Sequence, residues 1–166
     1  DNDFYGISKN DILNKVDSIK LEDKDYEFQY SNFGISVLGL ILEEVYDKDF
    51  TTLMNEFMTD EIGQKNTKVA IFKGNLDKYW NWKKDDGYIP AGAIISNIED
   101  MAKYLQIYLN SDEKYIVNTY TPKKEIHVDN YMYNKLDINI DEVAMAWMID
   151  SENNFVWHNG ATSNFN

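Results

Sequence analysis

Apolar positions along this chain fall first in a helical rhythm and only later in an alternating one. Ser8-Lys9-Asn10-Asp11 leads into Ile12, Leu13, Val16 and Ile19, a spacing that predicts a short, capped amphipathic helix. The charged stretch 21–29 predicts a loop. From Phe33 to Tyr46 the residues are apolar nearly all round (Ile35, Val37, Leu38, Leu40, Ile41, Leu42, Val45), which predicts a buried helix. Gly34 and Gly39 within it point to close helix packing. Phe50, Leu53, Met54, Phe57 and Met58 lie at i, i+3, i+4, i+7 and i+8, the pattern of a one-faced helix. Ser96-Asn97-Ile98-Glu99 has the form of a capping box, and the helix it starts runs through Met101, Ala102, Leu105 and Leu109 to Asn110.

The rhythm then changes. Glu125–Asp129 alternates polar and apolar residues, as does Val143–Ile149. The turn-rich segment Asp150-Ser151-Glu152-Asn153-Asn154 joins the latter to Phe155-Val156-Trp157-His158, so Val143–His158 predicts a β-hairpin. No internal repeat or low-complexity segment interrupts this order. The pattern is α+β: helices first, then a hairpin that breaks off as a third strand begins.

Length and composition narrow the function classes. At 166 residues, 43% of them hydrophobic, the chain is long enough for one domain with a proper core and too short for two independent ones. Its net charge is −13, and every one of its basic residues is lysine. A nucleic-acid partner needs a clustered basic face, and this surface would repel phosphates, so none is expected. The same charge disfavours adsorption to anionic lipid. There is no cysteine, which removes disulfides, thiolate metal sites and a cysteine nucleophile. No stretch reaches the roughly 18 apolar residues of a membrane span, and the start does not read as a signal peptide. Both ends read as cuts.

Three stations could carry chemistry. Tyr30-Ser31-Asn32 stands at the mouth of the apolar helix. Ser31 or Asn32 can be its cap and Tyr30 a packing staple. Equally, the station displays a phenol and a carboxamide at a rigid helix entrance, where a tyrosine beside a cation can take and return a proton. His158-Asn159-Gly160 follows the second hairpin strand. It reads as a strand-end histidine with a turn glycine, or as an imidazole and backbone N–H groups at a sheet edge that a substrate can approach closely. Gly87-Tyr88-Ile89-Pro90-Ala91-Gly92-Ala93-Ile94-Ile95-Ser96 is, by composition, a turn and a cap. Glu125, His127 and Asp129 would share a strand face as a crude metal comb, but with no further His and no Cys in range a solvated face is the expectation, and no metal is expected.

Order and surroundings give these stations a common meaning. Phe28-Gln29-Tyr30-Ser31-Asn32-Phe33-Gly34-Ile35-Ser36-Val37-Leu38-Gly39-Leu40-Ile41 resembles the F-x-Y-S-N-x-G-Y-x-L-L-G-x-I signature of the serine β-lactamase-like superfamily. That group holds class C β-lactamases, D,D-carboxypeptidases, D-aminopeptidases and penicillin-binding-protein-like esterases. Glu61-Ile62-Gly63-Gln64-Lys65-Asn66-Thr67 is similar to its P-L-G-M-x-x-T turn. Pro90-Ala91-Gly92-Ala93 through Ser96 to Glu99-Asp100-Met101-Ala102 is similar to its P-A-G-G-L-x-S-T-A-E-D-M-A stretch. Trp157-His158-Asn159-Gly160-Ala161-Thr162 resembles its H-x-G-x-T strand. The stations stand in the family's order and cover nearly the whole chain.

The resemblance implies a β-lactamase/transpeptidase-like α+β fold. Residues up to about 124 would form its helical insertion, and about 125–166 the start of the returning antiparallel strands. It implies a serine acyl-hydrolase that works through an acyl-enzyme, without cofactor, on a D-amino-acid peptide, a β-lactam or a small ester. Tyr30 would be the general base and acid. Asn32 would bind the substrate amide and orient a lysine, with Ser31 alongside. His158 would stand where many relatives have the lysine of K-T-G. Asn159 and Gly160 would meet the substrate, and the backbone N–H of Ala161 would be one of two oxyanion donors. Ala93 replaces a frequent family glycine, and Asn159 a commoner Gly or Thr. The one S-x-x-K string, Ser111-Asp112-Glu113-Lys114, comes after the tyrosine station, in the wrong order for the nucleophile, and reads as a solvated loop. The chain alone is therefore expected to be inactive. A histidine, titratable near neutral pH, leans the parent toward peptide or ester chemistry. A different class of reading is a catalytically silent module that binds cell-wall peptide or a protein partner. An extracytoplasmic or cell-surface parent follows from the resemblance alone, and open strand edges predict a homodimer.

Overall fold

A computed structural model of the chain describes residues 4–71 and 80–162. These fall into two compact units, one comprising residues up to Tyr104 together with 161 and 162, the other Leu105–Gly160.

The first unit is mainly helical. Helix α1 (Lys9–Ser18) begins with the expected cap: the Ser8 hydroxyl accepts from the Asp11 N–H, and the Asp11 carboxylate accepts from the Ser8 N–H. Helix α2 (Asn32–Tyr46) is capped by Ser31. It buries a narrower face than its composition predicts. Ser36 and Gly39 are buried, but Val45 is 69% exposed and Leu38 and Ile41 are exposed as well. The buried stripe follows the small residues, because they let other helices approach. A Cβ on Gly39 would lie 2.2 Å from the Pro90 ring, whereas one on Gly34 would meet only Ser31 at 3.5 Å. Of the two glycines, Gly39 alone marks close packing.

Helix α3 (Phe50–Glu56) is capped by Asp49 and runs into a π-helical turn over Phe57–Glu61. That turn corrects the expected single face. A wider turn rotates the side chains that follow it, so Phe57 is 43% exposed while Met58 is 5% exposed in the core. Glu43 ties three helices together: its Oε1 accepts from the Lys9 ammonium of α1 and from the Phe50 N–H at the start of α3, each at 2.6 Å. The segment that reads as a turn and cap holds more structure than expected. Ile89–Gly92 forms a short helix α4, and Ile94–Ile95 (β2) pairs antiparallel with Lys68–Val69 (β1). Phe50, Met58, Val69, Ala70, Trp82, Ile89 and Ala93 form the core. Ala93 is fully buried. Helix α5 (Ile98–Asn110) follows, and its cap is Asn97 rather than Ser96, since the Asp100 N–H donates to Asn97 Oδ1 at 2.9 Å.

In the second unit, α6 (Lys114–Tyr120) and α7 (Tyr131–Lys135) accompany a four-stranded antiparallel sheet in the order β3 (Lys124–Glu125), β4 (Glu142–Val143), β5 (Met148–Asp150), β6 (Phe155–Trp157). The expected hairpin is present as β5–β6, with Met148 opposite Trp157 and Asp150 opposite Phe155. Its expected first strand is divided. The chain turns at 144–147, where Ala144 N–H donates to Trp147 O and Ala146 takes φ +62°, so β4 and β5 form a second hairpin. Val143 and Ile149 are both buried, but Val143 stands opposite Met148 and Ile149 opposite Glu142, so the two lie on opposite faces and the alternation does not carry across the turn. In the alternating stretch 125–129, Glu125 pairs with Glu142 and the Ile126 N–H donates to the Asp141 carbonyl at 2.8 Å.

Candidate active site

The tyrosine station is both a cap and a display of polar groups. Ser31 Oγ accepts from the Gly34 N–H at 2.9 Å, which satisfies one of the open donors of the first helical turn. Tyr30 does not act as a staple: its side chain is 57% exposed. Its hydroxyl donates instead to Asn32 Oδ1 at 3.2 Å. A phenol and a carboxamide are thus held together at the entrance of a helix whose far side is docked through Gly39. With Oδ1 engaged, the amide Nδ2 of Asn32 is the end that can donate to a further group.

The two family-like stretches 61–67 and 96–102 meet around a buried carboxylate. Asp100 is fully buried. Its Oδ2 accepts from the Asn66 N–H at 2.7 Å and the Thr67 hydroxyl at 3.0 Å, and its Oδ1 from Lys103 at 3.3 Å. The Gln64 amide donates to the Asp100 carbonyl at 2.8 Å, and Thr67 also hydrogen-bonds Ser96 at 2.7 Å. Burial pushes the Asp100 carboxyl up, but the Asn66 N–H, the Thr67 hydroxyl and the Lys103 charge outweigh it and hold it below the ordinary 3.8. These residues lock a loop to a helix. Asp100 is a structural residue that its motif alone does not identify as such.

At the end of β6, His158, Asn159, Gly160 and Ala161 follow one another, all exposed. A Cβ on Gly160 would meet nothing within 4 Å, so packing does not require glycine there. The hairpin that delivers them is fixed at its turn. The buried Asp150 carboxylate accepts from the Asn139 and Asn153 N–H groups at 2.8 and 2.9 Å, and Asp141 accepts from both the N–H and the hydroxyl of Ser151. Burial raises the Asp150 pKa, and the Asn153 and Asn139 donors more than reverse this.

Two other candidates lack the geometry for chemistry. Ser111 lies between α5 and α6 and accepts from the Glu113 N–H at 3.2 Å, and Lys114 is the first residue of α6. An S-x-x-K nucleophile needs its serine and lysine one helical turn apart on the same helix, and these two are not. His127 is exposed beyond β3, and among the described residues no three His, Cys, Asp or Glu side chains are grouped as metal ligands.

The family model for β-lactamase matches residues 8–165. The chain belongs to the β-lactamase family. Its curated relatives include protein flp of Staphylococcus aureus strain MW2, 22% identical over 95% of this chain and 34% of that protein, and protein flp of strain MRSA252, 24% identical with the same coverage. The chain thus spans about a third of the length of these relatives. Among solved structures it resembles a β-lactamase/D-alanine carboxypeptidase from Yersinia pestis complexed with citrate (TM-score 0.67, 15% identity, 89% of this chain and 46% of that one). It also resembles a D-amino acid amidase from Ochrobactrum anthropi SV3 complexed with D-phenylalanine (TM-score 0.57, 15% identity, 85% of this chain and 46% of that one). The fold of this β-lactamase-family chain is therefore the β-lactamase/transpeptidase-like α+β fold, with part of its antiparallel sheet. Within it, the structure brings Tyr30 and Asn32 into contact and strings His158 to Ala161 along one strand end.

Proposed function

We propose that this β-lactamase-family chain supplies the tyrosine and sheet-edge parts of a serine acyl-hydrolase acting through an acyl-enzyme on a D-amino-acid peptide, a β-lactam or a small ester. The observation that carries the reading is the Tyr30 hydroxyl held against Asn32 at the mouth of a capped helix. In this role Tyr30 takes the proton of the attacking serine and returns it to the leaving group. Asn32, through Nδ2, meets the substrate amide, with Ser31 fixing the turn between them. His158 and Asn159 face the substrate's carboxylate end, and Gly160 leaves room for the substrate along the strand. The Ala161 N–H stabilises the oxyanion, a contribution of about 3 kcal/mol for one such donor. The nucleophile is a serine outside these residues, so the chain alone does not turn over substrate. The same reading places the parent outside the cytoplasm or at the cell surface. It also allows a homodimer through the outer edges of β3 and β6, an idea that a concentration-independent monomer in sedimentation velocity would sink.

The test is intact-mass labelling of the full-length parent with a fluorophosphonate and, separately, a penicillin. A covalent adduct on a serine outside this chain, formed about 10²–10⁴-fold more slowly after Tyr30→Phe, supports the reading. Preference between the probes separates esterase from peptidase chemistry. An adduct on Ser111 refutes it. A folded parent that takes up neither probe is instead a silent module that binds cell-wall peptide or a partner.

A further inference from the structure

Strand β6 is three residues long and, among the described residues, stands last in its sheet order and pairs with β5. Phe155 and Val156 are 37% and 41% exposed, and Trp157 is the least exposed of the three. The Trp157 indole nitrogen is buried and, among the described residues, has no oxygen or nitrogen partner, an arrangement that costs free energy unless another acceptor serves. The Tyr133 ring lies 5.5 Å from the indole, centroid to centroid, at 77° to its plane. Perpendicular aromatic pairs are favourable, and a ring face can accept an N–H.

We propose that Tyr133 is a positioning residue for His158: its ring face receives the buried Trp157 N–H and fixes the strand end from which His158 projects. The proposal rests on the reading of His158 as a substrate-facing residue. Tyr133 is itself well fixed. Asn130 Oδ1 accepts from the N–H groups of Met132 and Tyr133 at 2.9 and 3.3 Å. Asn134 is tied back to Asp129 at 2.9 Å, and the Tyr133 carbonyl accepts from the Ile138 N–H at 3.0 Å. Successive strand residues point to opposite faces. An inward Trp157 therefore sends His158 outward, and rotation of the indole would change where the imidazole points. The Tyr133 hydroxyl has no part in this, so phenylalanine suffices.

The test uses NMR of the isotopically labelled chain, which needs no turnover and so fails independently of the catalytic reading. That reading is tested by His158→Ala kinetics in the parent. The Trp157 indole N–H is expected upfield of the other indoles, through the ring current of Tyr133, in the chain and in Tyr133→Phe. In Tyr133→Leu it moves downfield and the ring signals of His158 shift, while those of His127, the one other histidine, stay in place. Trp157→Phe, which keeps a ring but removes the N–H, also shifts His158. The proposal is overturned by an unmoved His158 in Tyr133→Leu or Trp157→Phe. It is equally overturned if both histidines move together or the Tyr133→Leu spectrum is unfolded, since Tyr133 is then a general brace, or if Tyr133→Phe behaves as the leucine variant does.

Discussion

Two glycines of one helix, given the same substitution, should change stability in opposite directions. In Gly39→Ala the new Cβ would sit 2.2 Å from Pro90 Cγ and 2.7 Å from Pro90 Cβ, against an optimum of about 3.5–4.0 Å between carbons. The pyrrolidine ring cannot swing aside, because its torsion is locked into the chain, so α4 must move off α2. Overpacking of this kind costs about 1–3 kcal/mol, occasionally more. An overlap of more than about 1 Å belongs at the upper end of that range. Removing a mid-helix glycine returns about 1 kcal/mol, which leaves a net loss of about 2 kcal/mol. In Gly34→Ala the new Cβ meets Ser31 at an ordinary 3.5 Å, and the N–H that donates to the cap is retained. The expected result is a gain of about 0.4–1 kcal/mol from the less flexible unfolded chain. With a urea m-value of about 1–3 kcal/mol per M, the midpoints of the two variants, followed by far-UV circular dichroism, should lie about 1–3 M apart on either side of the parent sequence. Pro90→Gly should relieve the clash and restore part of the loss as a favourable coupling. The reasoning fails if both alanine variants move the midpoint the same way, or if Pro90→Gly leaves the Gly39→Ala loss unchanged.

Other outcomes follow from single side chains. Folding lowers the Asp100 carboxyl below 3.8, so its contribution is present above the unfolded aspartate value near about 3.9 and is lost as pH falls through the folded value. Asp100→Asn should be less stable at pH 7 and show a flatter acid flank below about pH 4, and an unchanged acid midpoint would count against the buried lock. Glu43→Ala removes two contacts of 2.6 Å, from Lys9 and from the Phe50 N–H. It should cost about 1.5–3 kcal/mol, since hydrogen bonds to a charged group are worth that much; a melting temperature within error of the parent sequence would refute this. Gly160→Ala should leave the stability of the chain within about 0.5 kcal/mol, because its Cβ meets open space. In the full-length parent it should lower kcat/KM for bulky substrates, and unchanged turnover would remove Gly160 from the substrate path.

What could be read from the sequence divides by the range of the forces involved. Ser8 and Asp11 announce a capping box four residues long, and the box is present, because both partners lie within one helical turn. The Ser31 cap and the Tyr30–Asn32 pair are equally local, so the tyrosine station could be read as cap and as display at once, and it is both. The failures are non-local. Phe33 to Tyr46 looks buried on every side, yet which side is covered depends on where Pro90 arrives, about fifty residues later, and only the small residues at 36 and 39 hint at it. Ser96 fits the capping pattern and loses the role to Asn97 because Thr67, a remote partner, takes its hydroxyl. The strand pattern from Val143 to Ile149 hides a turn because residues 144–147 are Ala, Met, Ala and Trp, with none of the Gly, Pro, Asn or Asp that mark turns, and Ala146 itself takes the positive φ. Asp100 is the clearest case. A buried aspartate in an otherwise solvated first turn reads as a favourable helix-start charge, and only the arrival of Asn66, Thr67 and Gln64 shows that the turn 61–67 and the helix after Ser96 are two halves of one lock. The motif residues of this β-lactamase-family chain therefore divide by burial. Asp100 locks the fold from inside, whereas Tyr30, His158 and Gly160 stay exposed after folding, where the chemistry proposed for them is open to test by Tyr30→Phe and Gly160→Ala in the full-length parent.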